Sequence, residues 1–298
     1  MSRLRYRSLK AFLTLVFLGL ISPAAAQEVL PDPPGHGSSD ALVTKAYGLL
    51  ESGNTSAALE HFNDALLKDT ENLPARLGQA MILADQQKHA EAFQSYDAIV
   101  KSHPRHAFAW NGRGLAAFNM EDFDLALTSF EQATAEQPVN GFFYESLAWT
   151  QMCLGKFVDA AQTAKQATLM YNQTRESSTS PLLIAYFAYL ETGEASRADA
   201  TLKYALTNRQ ADQWPAPVLD YLAGDLSQSE LISFVTDTAQ ETEAHTYIGL
   251  RLRHENKTEQ AARHLNWVAT HGDNRVFEYT LARSIKSAKS VASLSPSM

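Results

Sequence analysis

The spacing of small and large residues constrains this chain more than any other feature. Between Trp110 and Pro138, Trp110 and Gly114 lie four apart, as do Ala126 and Phe130, so each pair shares one face of a helix. The polar run Asn119-Met120-Glu121-Asp122 between them ends one helix and lets a second begin. The segment therefore reads as a helical hairpin. Gly114, Ala126 and Ala133 are small because two helix backbones approach toward the short end of the roughly 8 to 10 Å interaxial range, and Gly114 with Ala126 is read as the closest contact. Trp110 and Phe130 fill the space beyond.

A single hairpin cannot bury both its faces, so it must stack on copies of itself. Copies occur at a period of 34: Ala46, Ala58, Phe62 and Ala65, then Ala80, Ala92, Tyr96 and Ile99, then the stretch above. Tyr144, Ala148, Gly155, Ala160, Ala164 and Ala167 form a fourth unit. After a four-residue slip, Tyr186, Gly193, Ala198, Leu202 and Ala205 form a fifth. Pro104 and Pro138 each close a second helix. Beyond Asn208 the phase is lost: "WPAPVLDYLAGDLSQSELI" reads as a shortened hairpin whose second helix starts near Ser227 or Ser229. The pattern returns from Glu243 with Gly249, Ala261, Leu265 and Val268. A last helix, Arg275 to about Lys286, is expected to cap the stack with Arg283 and Lys286 on its outer face.

At these residues the chain resembles the tetratricopeptide repeat family, whose W-x3-G, A-x3-F-x2-A and terminal Pro pattern is met almost completely by Trp110 to Pro138. The resemblance implies an all-α fold, a right-handed α-solenoid of tetratricopeptide-type helical hairpins with a C-terminal capping helix. The expected units are 39–72, 73–106, 107–140, 141–174 and 179–212. A short atypical hairpin is expected over 213–241, a repeat-like unit with its cap over 242–288, and a disordered tail over 289–298. The layout as a whole is similar to the NlpI-type repeat lipoproteins of Gram-negative envelopes. Those proteins are lipidated on a cysteine at the signal-peptide boundary, whereas the one cysteine here is Cys153.

The N-terminus points to the envelope independently. Arg3, Arg5, Arg7 and Lys10 precede an apolar core from Ala11 to Ile21 and the run Ala24-Ala25-Ala26, the layout of an export signal with cleavage before Gln27. The apolar core falls well short of the roughly 20 residues needed to span a membrane. Residues 27–39, rich in Pro, Gly and Ser, read as a flexible leader. The expected location is periplasmic or secreted.

Charge narrows the partners. The full chain carries 25 basic and 33 acidic residues, and removal of the four basic residues in the signal leaves 21 minus 33, or −12. Nucleic acid is excluded as an expected ligand, and stable membrane insertion after processing is not expected. A lone cysteine permits no intrachain disulfide, and no cofactor or metal is expected. His103 and His106 flank Pro104 at a turn with no third ligand and read as solvated; Cys153 reads as a buried structural thiol. No nucleophile elbow, zinc-protease, P-loop or dinucleotide motif occurs, so catalysis is not expected.

In tetratricopeptide arrays, positions 2, 5, 9 and 12 of each unit point into the concave groove. By that resemblance the partner-binding residues would be Phe108, Asn111, Phe118, Phe142, Trp149, Met152 and Phe187, with Leu115, Glu145, Leu183 and Leu190 beside them. Val43, Leu77 and Asn111 at position 5 do not form the family's carboxylate clamp. Such an apolar groove is filled either by the chain's own leader or C-terminal helices, by a second copy, or by a partner helix or extended peptide. The leading expectation is a non-enzymatic protein-interaction adaptor of the cell envelope. By resemblance its partners would include peptidoglycan hydrolases and the proteases that degrade them. A structural subunit of an envelope or secretion complex is the second reading and an enzyme the remote one.

Overall fold

The computed structural model of the chain describes residues 36–210 and 212–294. The signal expected over 1–26 and most of the leader lie outside the described residues. Within them the fold is all-α, of the solenoid class, and contains fifteen helices and no strand. Five hairpins come first: α1 (His36–Glu51) with α2 (Thr55–Lys68), α3 (Leu73–Asp85) with α4 (His89–Ser102), α5 (Ala107–Asn119) with α6 (Phe123–Glu136), α7 (Gly141–Cys153) with α8 (Phe157–Thr174), and α9 (Thr179–Glu191) with α10 (Ala195–Asn208). A short pair follows, α11 (Ala216–Ala223) and α12 (Gln228–Ser233), then the hairpin α13 (Thr238–His254) with α14 (Thr258–His271), and finally α15 (Phe277–Leu294).

Local chemistry sets the boundaries. Side chains of Asn54, Asn72, Asp122, Asn140 and Asp237 accept hydrogen bonds from the first free backbone N–H groups of their helices. Ser227 and Glu230 form a capping box at α12. His106 corrects the solvated-turn reading: its Nδ1 accepts from the Ala109 N–H and caps α5. The turn inside each hairpin needs a left-handed residue, and the requirement follows the repeat. Gly53, Gln87, Glu121 and Gly155 stand 34 apart, and all four have positive φ.

Packing follows the same period. Ala46, Ala80 and Ala148 are fully buried, as are Ala58, Ala92, Ala126 and Ala160 on the second helices. Gly114 takes the matching place in the third hairpin. A Cβ there would lie 2.6 Å from the Phe130 ring, so it is Phe130, rather than Ala126, that closes over Gly114.

The helices fall into two compact units that divide at Pro104. In the first, α1 to α4 pack in chain order and the first helices α1 and α3 touch. In the second, α5, α7, α9 and α13 touch in turn and form an inner wall, with α6, α8, α10 and α14 behind them. α15 leaves this order: it packs on α14 and α13 and reaches back to α7.

The last helix closes the stack as expected, and it also reaches further back than a cap on the preceding hairpin alone. Arg283 does face outward, and the Lys286 side chain lies outside the description, yet Glu278, Thr280, Leu281 and Ala282 are buried. The helix runs to Leu294, into the stretch read as a tail from 289, where Ala, Lys and Leu are good helix formers.

Candidate functional site: the inner groove

Three of the expected groove residues converge on one ring. The Phe277 side chain of α15 stacks on Trp149 of α7 at 6.0 Å between centroids and 6° between planes. Phe118 of α5 meets it edge-on at 5.1 Å, and Phe142 lies at 6.4 Å. Such offset and edge contacts are the favoured aromatic geometries. Trp149 and Phe118 are left 2% and 1% exposed. Phe187 of α9 stacks on Tyr247 of α13 at 5.7 Å. Met152 borders a cavity of ≈ 330 Å³ shared with Cys153, Arg253, Leu281 and Ser284. The groove of the second unit is thus occupied by the chain's own C-terminal helix.

Phe108 and Asn111 lie apart from this box. Phe108 packs edge-on against Phe143 at 5.3 Å. Asn111 is fully buried, and neither atom of its amide has a hydrogen-bond partner. A buried amide left in that state is costly, so Asn111 marks a polar demand inside an otherwise apolar wall.

Carboxyl groups line the floor under α15. Glu278, next to Phe277, accepts a hydrogen bond from the Tyr247 hydroxyl at 2.7 Å. Glu243, one turn before Tyr247, accepts from the Trp214 indole at 2.7 Å. Glu145, one turn before Trp149, accepts from the Tyr171 hydroxyl at 2.6 Å and from Ser180. Among the described residues none of the three pairs with a cation. Burial pushes Glu278 up to about 7, opposed by the Tyr247 hydrogen bond and reinforced by Glu145. Burial likewise raises Glu243 well above the usual carboxylate range, with Glu278 adding repulsion. Glu145 is raised by burial against the pull of its hydroxyl donors.

The exposed side of the same helix is tied differently. Arg283 reaches Glu121 in the α5–α6 turn at 2.5 Å, and Ser284, whose hydroxyl donates to the Leu281 carbonyl, lines one cavity with the Cys153 thiol. Burial pushes that thiol up to about 12, so it is no nucleophile at neutral pH. On α13 and α14, His245 and His264 face each other at 3.0 Å between Nδ1 atoms, with Trp267 stacked on His245 at 4.2 Å. Burial lowers both, His245 to about 4, and keeps them neutral. They bring two donors and no third; no group of three or more His, Cys, Asp or Glu side chains is placed to hold a metal ion among the described residues. Nor is any described helix long and apolar enough to cross a membrane.

Sequence reasoning missed Phe277 and the carboxyl floor, although both left a trace. Val276, Phe277, Leu281 and Ile285 form an apolar stripe, the mark of a face that packs on other helices. Glu145 is the one charged residue between Gly141 and Gly155, on a helix that is otherwise apolar or small and polar.

Comparisons with known proteins agree with the repeat fold. A family model for the tetratricopeptide repeat matches residues 43–107 and 111–181. No curated protein matches the sequence. Among solved structures, a tetratricopeptide repeat protein from Parabacteroides merdae ATCC 43184 is similar over 84% of this chain and 99% of its own, with a TM-score of 0.56 at 16% identity. MamA from Desulfovibrio magneticus RS-1, residues 41 to the end, is similar over 57% of this chain and 94% of its own, with a TM-score of 0.51 at 14% identity. At these identities the likeness concerns the fold.

Proposed function

We propose that this tetratricopeptide-repeat protein is a non-enzymatic adaptor of the bacterial cell envelope that receives an amphipathic helix of a partner protein in the seat held by α15. Repeats of this family generally mediate protein–protein interaction, and their motif residues are packing residues rather than chemical ones. The observation that carries the reading is the stacking of Phe277 on Trp149: the groove accepts a helix that presents an aromatic ring with a carboxylic acid beside it. A partner helix with the same pair fits the same box. Export by the signal over 1–26 puts such partners in the envelope, and by the NlpI-type resemblance peptidoglycan hydrolases and proteases are the first to try. Self-association through an exchanged α15 is the homodimeric form of the same contact.

The test uses residues 27–298 and a fluorescent peptide copying residues 275–290. Phe277→Ala, which empties the box, should bind the peptide at least tenfold more tightly than wild type, and the added Trp149→Ala and Phe118→Ala changes should abolish binding. Capture of envelope proteins should follow the same order and survive high salt, because apolar burial is not screened. Equal binding by all variants would move the site elsewhere. The first place to look is then the ≈ 470 Å³ depression over α9 that Leu169, Tyr204, Lys165 and Arg197 line.

A further inference from the structure

Glu145 on α7 ties its hairpin to Tyr171 and Ser180, and Glu243 on α13 holds Trp214; α15 folds back and brings a third carboxyl group, Glu278, to these two. Glu243 is 9% and Glu278 6% exposed. Among the described residues, their hydrogen-bond partners are neutral donors, the Tyr247, Tyr171 and Ser180 hydroxyls and the Trp214 indole. From α13, Glu278 meets the Tyr247 hydroxyl and Glu243; from α7 it meets Glu145. Asp237 at the start of α13 adds to the repulsion on Glu243, and Glu176 after α8 adds to that on Glu145. Arg283, the described cation on α15, is engaged with Glu121. Removing α15 would return Glu278 to water and relieve the other two.

We propose that seating of α15 in the groove is proton-linked: the Glu145–Glu243–Glu278 cluster closes with protons on board, and its ionisation releases the helix and opens the groove. Glu278 titrates at about 7 when seated and near the ordinary value of 4.5 when free. A carboxyl raised in the closed state stabilises that state fully below its free value, and the stabilisation is lost as pH rises through the seated value. Closure is therefore firm in mild acid and weak above neutrality. The inference rests on the adaptor reading only for its consequence, that partner binding would be favoured at the alkaline end; the closure itself needs no partner.

Cys153, the chain's single thiol, reports on it because it lines one cavity with Leu281, Ser284 and Ile285 of α15. Residues 27–298 are treated with a maleimide at fixed pH values from about 5 to 8.5. Thiolate chemistry alone accelerates labelling about tenfold per pH unit. In wild type the rate should climb roughly ten- to a hundredfold beyond that line between about pH 5 and 8. Glu278→Gln keeps the acceptor for Tyr247 without the charge and should fall on the line, as should Glu243→Gln in part. Hydrogen exchange of residues 277–285 in wild type, corrected for intrinsic rates, should show the same loss of protection with pH even if a variant folds poorly. Wild-type labelling on the thiolate line with pH-independent exchange overturns the latch. So does an excess that Glu278→Gln leaves intact. Neither outcome touches the peptide-binding test of the groove.

Discussion

The α5–α6 hairpin and the seat of α15 are both buried and both aromatic, yet they are built by opposite means. In the hairpin, Phe130 closes over Gly114, Ala126 and Ala133 flank it, and Arg113 donates to the Ser129 hydroxyl across the two helices at 2.7 Å, with no acid buried in the contact among the described residues. At the seat, Phe277 sits between Trp149 and Phe118, but Glu278 and two further acids lie directly beneath. The first contact joins residues near each other in sequence and holds whatever the pH. The second joins distant ones and is conditional. Stability in a repeat protein is shared mainly between neighbours, so a helix that returns to an earlier hairpin is the natural place for a switchable contact.

The largest effect expected separates the two regions outright. Trp149→Ala removes the platform under Phe277 and should cost about 3–5 kcal/mol at that site. Amide exchange should rise in α15 and in the adjoining parts of α7 while the amides of α6 keep their protection. Equal loss across both would show that seat and hairpin unfold as one.

A smaller effect tests the hairpin from its own side. Gly114→Leu places side-chain atoms where the Phe130 ring lies 2.6 Å from a bare Cβ, and should destabilise α5–α6 by about 1–3 kcal/mol. The loss should be the same at pH 5 and pH 8, in contrast to that at the seat. An unchanged melting profile would mean that Phe130 moves aside freely and that the close approach is not what selects glycine.

The difference between the regions is also the difference in what the sequence makes legible. The 34-residue period exposes Gly114, Ala126, Phe130 and Ala133 because their partners recur at fixed spacing and every hairpin repeats the arrangement. It likewise places Phe118, Phe142 and Trp149 on an inner face. It cannot say what covers them, because that depends on where the stack brings α15, a property summed over several hairpins. The stripe of Val276, Phe277, Leu281 and Ile285 shows that the last helix buries a face, and the solitary Glu145 shows that an inner wall tolerates an acid. Only the fold brings Glu145, Glu243 and Glu278 together.

The smallest effect concerns the outer edge of the seat, where Arg283 meets Glu121 at 2.5 Å with both side chains substantially exposed, 44% and 33%. An exposed pair of this kind contributes about 0.2–1 kcal/mol and is screened by salt. Arg283→Ala should therefore raise the Cys153 labelling rate by no more than about fivefold at low salt, and by nothing measurable at about 1 M salt, where the Debye length is near 3 Å. That change should be present at pH 5 as at pH 8, since the pair lies outside the buried carboxyl cluster. A large, salt-resistant effect would shift the hold on α15 from the buried aromatic box to its exposed rim, and the contrast between a packed hairpin and a proton-governed seat would then fail at its second term.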